Sequence, residues 1–203
     1  MDYRANLQTY AHGVQKVLDN LPWDAISQTV DVLWKNVQGG GRIFTMGNGG
    51  HCNTAAHMIN DLAKHTVSSD DKKAVVADHL RFRTMCLNDS VSFVTGIGND
   101  MGFEYIFSEQ VANWVKPGDV VIGISGSGNS KNILLAFEEA KKIGATTICY
   151  SGFQGGKAQA IADISIIVPC NKMVQVEDVH LIINHMVADE LKRLVQNRQE
   201  LVG

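Results

Sequence analysis

The chain has 203 residues, a length that fits one domain able to bury a substantial core. Its formal charge of −3, from 18 basic and 21 acidic side chains, excludes a surface built to coat nucleic acid. No apolar run approaches the roughly 20 residues of a membrane span. The first residues carry no signal-peptide pattern, and Cys52, Cys86, Cys149 and Cys170 are scattered without a C-x-x-C pair. Free thiols in a reducing cytoplasm are the expectation that follows.

The first elements read as two helices. Leu7, Tyr10, Val14, Val17 and Leu21 recur at spacings of three or four, and so do Ile26, Val30, Leu33 and Val37. Pro22 separates them and suits the first turn of the second. Gly39, Gly40 and Gly41 end that helix. Arg42–Met46 then reads as a strand, Gly47–Gly50 as a glycine turn, and Asn53–His65 as a helix with Ala55, Met58, Ile59 and Leu62 inward. Thr84–Leu87 is a short strand, Val91, Val94 and Ile97 mark a helix, and Glu104–Trp114 another. A strand over 119–124 leads into a helix with Ile133, Phe137, Ala140 and Ile143 facing inward. Thr146–Tyr150 and Ile164–Val168 bring the strands to five, and a long helix runs from about Gln175 to Asn197. Alternating strands and helices, with near-continuous apolar strands, predict an α/β fold whose parallel sheet is covered on both faces.

Ser125-Gly126-Ser127-Gly128-Asn129-Ser130 sits between the 119–124 strand and its helix. Hydroxyls, free backbone N–H groups and a helix N-terminus together make a phosphate cradle. No lysine follows the last glycine as in a Walker loop, and no G-x-G-x-x-G spacing marks a dinucleotide. The expected guest is a phosphate ester without a large nucleotide. The competing reading is a turn capped by Asn129 or Ser130. Ligands of such sheets bind beyond the carboxyl ends of the strands. Gly47–Gly50 and Ser125–Ser130 both lie there, which predicts one site built from both loops.

His57 and Asp61, four residues apart, project from one helix face. Glu177 and His185, eight apart on the last helix, share a side with an offset of about 80°. Two histidines and two carboxylates can bind zinc or shuttle protons between adjacent carbons. They can equally be solvated helix surface. His51, His65, His79 and His180 compete for any histidine role, while His12 on the first helix reads as structural.

Gly47-Asn48-Gly49-Gly50, His57 with Asp61, and Gly98-Asn99-Asp100-Met101-Gly102-Phe103 resemble the phosphoheptose isomerase family. Ser125–Ser130, Gly155-Gly156-Lys157 and the Glu177…His185 helix extend the likeness over about residues 5 to 195. The resemblance implies a single sugar isomerase (SIS) domain over 1–203: a three-layer αβα sandwich with a five-stranded parallel sheet and an N-terminal helical hairpin, residues 1–38, in the core of an oligomer. It implies substrate contacts at Asn48, Gly49, Gly50, Asn99, Asp100 and Glu177, and a phosphate held by Ser125, Gly126, Ser127 and Ser130. It implies zinc at His57, Asp61, Glu177 and His185, with Asp61, Glu177 and His185 as the catalytic groups. The activity implied is interconversion of sedoheptulose 7-phosphate and a heptose 7-phosphate, in a cytoplasmic homotetramer with sites at subunit interfaces.

Several positions depart from that family's pattern. Asp61 stands where glutamate is usual, Glu177 where glutamine is, His51 where serine is, and Gly126 where threonine is common. The segment Lys72–Arg83 is also unusual. Two other readings therefore stand beside the heptose isomerase: an isomerase of a different phosphosugar, and a non-catalytic SIS protein that binds a phosphosugar or a partner such as the replication initiator.

Overall fold

The computed structural model describes residues 2–67 and 80–200, and side chains as far as Arg198. Most of the unusual 72–83 segment, and His79 with it, lies outside the described residues. The two N-terminal helices are α1 (Tyr3–Leu18) and α2 (Trp23–Gln38), each of which packs on the last helix. Asp2 caps α1 by accepting from the Ala5 N–H at 3.1 Å. There follow β1 (Arg42–Gly47), α3 (Gly50–Lys64), β2 (Arg83–Cys86), α4 (Val91–Asp100), α5 (Ser108–Trp114), β3 (Val120–Ile124) and α6 (Lys131–Ile143). The chain ends through β4 (Thr146–Ser151), α7 (Ala158–Ile161), β5 (Ile164–Ile167) and α8 (Met173–Glu200).

The five strands are all parallel, in the order β2-β1-β3-β4-β5. Side chains alternate between two cores, as the pleat requires. Ile43, Val120, Ile122, Ile124, Ile148 and Tyr150 meet α2, α3 and α8 on one face. Phe44, Met46, Val121 and Cys149 meet α5, α6 and α7 on the other. This is the expected three-layer sandwich. Gly123 lets α6 close on the second face: a Cβ there would lie 2.6 Å from the Phe137 ring and 2.7 Å from Ile133.

The boundaries differ from expectation where caps, not apolar spacing, decide them. α3 begins at Gly50, three residues early, because Gly49 at φ +56° turns the chain directly into the helix. The predicted 104–114 helix splits. Gly102, at φ +121°, starts a 3-10 turn over Phe103–Tyr105, and regular helix begins only at Ser108. The four-residue α7 had no readable period. β1 connects to β2 on one side of itself, and β3 lies on the other. That reversal opens a crevice at the carboxyl ends of β1 and β3.

Candidate active site

Both glycine-rich loops meet at that crevice. Asn48 and Asn132 exchange two side-chain hydrogen bonds, each 2.9 Å, which tie the turn after β1 to the first turn of α6. In the second loop the Ser125 and Ser130 hydroxyls face each other at 3.0 Å. Ser127 Oγ accepts the Asn129 N–H at 3.2 Å. Ser130 occupies the N-cap of α6 but makes no capping bond. Asn129 donates to the Ser127 carbonyl and accepts the Lys157 N–H, so neither residue serves as a side-chain cap. The Ser125 and Ser130 hydroxyls thus face each other beside the first turn of α6, where Asn132 Oδ1 accepts the Ile133 N–H at 3.0 Å.

The loop rests on the 155–156 turn. Gly128, at φ +65°, lies so close that a Cβ would stand 1.9 Å from the Gly155 carbonyl oxygen. On the other side, a Cβ on Gly126 would stand 2.3 Å from Met173 Sδ and 3.0 Å from His51 Cε1. Glycine at 126 thus gives room to the start of α8 and to the first turn of α3. Asn99 and Asp100 are exposed at the end of α4, bonded to each other at 2.8 Å. The 3-10 turn that follows reaches α6 through a Glu104–Lys131 ion pair of 3.0 Å.

α3 and α8 run side by side in the same direction. Gly50 faces Glu177, His51 faces His180, the Thr54 carbonyl accepts from Asn184, and His57 faces His185. Three of the predicted ligands converge in this row. His57 Nε2 is 3.1 Å from His185 Nε2 and 3.2 Å from Asp61 Oδ2, and His185 Nε2 is 3.6 Å from the same oxygen. Four-coordinate zinc, with bonds of about 2.0–2.1 Å, sets its ligand atoms about 3.3 Å apart. The three separations bracket that figure, and a two-imidazole, one-carboxylate set suits the ion. Asp61 is mostly covered, with 15% of its side chain exposed, while both imidazoles are open to solvent.

Glu177 is not part of this group. Its carboxylate lies against the α3 N-terminus, 3.2 Å from where a Cβ on Gly50 would stand. It makes no hydrogen bond among the described residues. His51 and His180 form a second, buried pair, their rings 3.1 Å apart at Nε2 and Nδ1. Burial lowers the pKa of His51, which the nearby Glu177 charge partly offsets. Burial brings His180 down to about 3, helped by the neighbouring His51. His65 approaches Asp189 at 3.5 Å, beyond the first pair. Spacing alone did not single out Asn132 or Met173, since each acts across a contact with a distant loop. The Asn132 position, two residues inside α6, is the only local hint it carries.

The family model of the SIS domain matches residues 9–152. The phosphoheptose isomerase of Helicobacter hepaticus is 36% identical over 188 residues, 93% of this chain and 88% of that protein. That of Geotalea daltonii is 34% identical over 95% of this chain and 98% of its own. The chain belongs to the phosphoheptose isomerase family of SIS-domain proteins. Two solved structures agree. Phosphoheptose isomerase GmhA from Neisseria gonorrhoeae superposes with a TM-score of 0.81 at 26% identity, covering 94% of this chain and 96% of that one. A phosphoheptose isomerase from Francisella tularensis gives 0.83 at 26% identity, over 95% and 100%. The α/β sandwich is therefore the family's fold. No helix among the described residues is long and apolar enough to cross a membrane.

Proposed function

We propose that the chain is an aldose–ketose isomerase that converts sedoheptulose 7-phosphate to D-glycero-D-manno-heptose 7-phosphate. The observation that carries this is a half-buried carboxylate, Glu177, set against Gly50 of the first glycine loop, which Asn48 and Asn132 tie to the helix that follows the serine loop, in a chain of this family. Ser125, Ser127, Ser130 and the Gly126 backbone bind the phosphate, remote from the reacting carbons, so that binding energy serves to orient them. Asn48, Gly49 and Gly50 line the sugar's path, and Asn99 and Asp100 close over it. A carboxylate removes the proton from the carbon beside the carbonyl, leaving an enediol(ate). His185, set about 12 Å of helix rise from Glu177 of its own chain, reaches the two oxygens from a neighbouring subunit at the shared interface and moves a proton between them, and the carboxylate returns its proton to the neighbouring carbon.

The two carboxylates divide the work. Asp61 faces two imidazoles at 3.2 and 3.6 Å and holds that group together. Glu177 is unencumbered beside Gly50 and takes the larger part in proton abstraction. Zinc suits His57, Asp61 and His185, the three groups that converge, and Glu177 is not among them. When bound, the ion polarises the substrate oxygens as a Lewis acid. A binding-only role, docking to a replication initiator included, would leave Glu177 and the histidine–aspartate group without a use.

The remaining expectations belong to the same proposal. α1 leaves Tyr3 and Leu7 about 70% exposed, and Trp23 at the start of α2 is half exposed. Such a face suits the helical core of a homotetramer built on residues 1–38. A small phosphosugar substrate and four cysteines without a disulfide suit the cytoplasm. Incubation with sedoheptulose 7-phosphate and with hexose and pentose phosphates, with zinc and with a chelator, tests the reading. The heptose 7-phosphate should form from the seven-carbon ketose alone, and chelation should lower its rate until zinc is restored. No product from sedoheptulose 7-phosphate under either condition would overturn it.

A further inference from the structure

Behind the phosphate loop lies the pair of buried imidazoles that this mechanism does not use. His51 is 5% exposed and His180 is 0% exposed. His180 Nε2 lies 3.1 Å from the Ser151 carbonyl oxygen. A carbonyl only accepts, so Nε2 carries the proton. A buried neutral ring has one N–H, so His180 Nδ1 is bare. His51 Nε2 lies 3.1 Å from that bare nitrogen and must donate to it. The order of protons is thereby fixed from Ser151 outward. It ends at His51 Nδ1, which has no hydrogen-bond partner among the described residues and is an acceptor in the neutral ring.

Two observations set that nitrogen at the phosphate end of the crevice. Cε1, the carbon between the two ring nitrogens, is 3.0 Å from where a Cβ on Gly126 would stand, between Ser125 and Ser127, and with Nε2 turned to His180 the nitrogen left on that side is Nδ1. His51 is also the second residue of α3, whose N-terminus opens on the same crevice beside Glu177. The missing side chain at 126 is what admits the imidazole.

We propose that His51 contacts the phosphosugar, accepting at Nδ1 a hydrogen bond from a sugar hydroxyl near the phosphate-bearing carbon, with His180 as the positioning residue that fixes its tautomer and orientation. The inference rests on the phosphosugar reading above. A phosphate ester dianion offers no proton to a bare nitrogen, whereas a polyol chain offers a hydroxyl on each carbon. His51 therefore reads the sugar and not the phosphate, and favours a chain hydroxylated next to its phosphate over a simple alkyl phosphate.

The test compares binding of sedoheptulose 7-phosphate and of methyl phosphate, whose dianion has no hydroxyl, by calorimetry at pH 8, in wild type and in His51→Ala, His51→Asn, His180→Phe and His180→Gln. Losing one neutral hydrogen bond should weaken the sugar phosphate about fivefold to tenfold in His51→Ala. Methyl phosphate should change less than twofold. His51→Asn, which keeps an acceptor, should recover part of the loss. His180→Phe should reproduce the loss, and His180→Gln, which can still donate to Ser151 and accept from His51, should not. The proposal is overturned if His51→Ala binds the sugar phosphate as wild type does. It is equally overturned if methyl phosphate weakens as much as the sugar, for His51 would then hold the phosphate as a cation. Should His180→Phe fail to fold, as judged by its melting transition, the two His51 variants and His180→Gln decide. A wild type that binds the sugar phosphate without turning it over defeats only the isomerase reading, because the binding ratios still judge His51. A wild type that binds methyl phosphate and no sugar phosphate defeats both.

Discussion

Ser130 shows how a single side chain separates a binding loop from a structural turn. It stands at the N-cap of α6, where serine ordinarily bonds the helix N–H groups, yet its hydroxyl faces Ser125 at 3.0 Å. A cap would make Ser130→Ala mainly a stability change. A ligand group makes it mainly an affinity change. Ser127→Ala and Ser130→Ala should each weaken phosphosugar binding by about 1.5–3 kcal/mol, the worth of a hydrogen bond to a charged group, with little shift in melting temperature. Calorimetry and a thermal melt on the same variants check both halves. The two carboxylates are separable in the same way. Solvent-proton exchange at the substrate carbon should fall on the order of 10²-fold or more in Glu177→Gln, while Asp61→Glu retains exchange. Exchange at the wild-type rate in Glu177→Gln, with Asp61→Asn inert, would assign the base to Asp61.

At the scale of elements, the pairing of α3 with α8 organises the site. Two parallel helices set Gly50, His51, Thr54 and His57 against Glu177, His180, Asn184 and His185 in one register. Each helix face was readable in the sequence from spacing, and so were the strands, most clearly β3, whose Val and Ile run is buried on both sides. The register between the helices was not. It depends on how far each slides on the sheet, which no pattern within either helix records. For that reason His51 and His180 read only as competitors for a histidine role, and Glu177 read as a fellow ligand of His185. About 12 Å of helix rise separates these last two, and the packing places one beside the loops and the other beside Asp61. The buried histidines also predict how stability responds to acid. His180 has a folded pKa of about 3, below the ordinary 6.5, and burial depresses His51 in the same direction. Below about pH 6.5 the unfolded chain binds protons that the folded one refuses. The stability present at neutral pH is therefore lost as pH falls, by about 1.4 kcal/mol per pH unit from His180, with a further loss of the same sign from His51. Denaturant unfolding between pH 7 and pH 4 should show this slope, and His180→Gln should flatten it.

At the scale of the molecule, the N-terminal hairpin is joined to the site through a short path. The Tyr10 hydroxyl donates to Asp178, a bond that pushes the Tyr10 pKa up to about 12 and keeps the phenol protonated. The Gln175 side chain donates to the Tyr10 carbonyl at 3.1 Å. Gly13 packs directly on that same glutamine, leaving no room for a Cβ. These contacts grip α8 on both sides of Glu177. If the exposed face of the hairpin is buried in a homotetramer, the subunit contacts clamp the very turn that carries the base. Sedimentation at micromolar concentration should find the tetramer, and a monomer there would defeat that assembly. The enzyme would then report its own association: turnover per subunit should fall on dilution along the dissociation curve. Tyr10→Phe, which removes the hydroxyl and leaves the ring, should lower turnover per subunit even at concentrations where assembly is complete. A chain with no residue of α1 in the crevice would still depend on α1 for its rate.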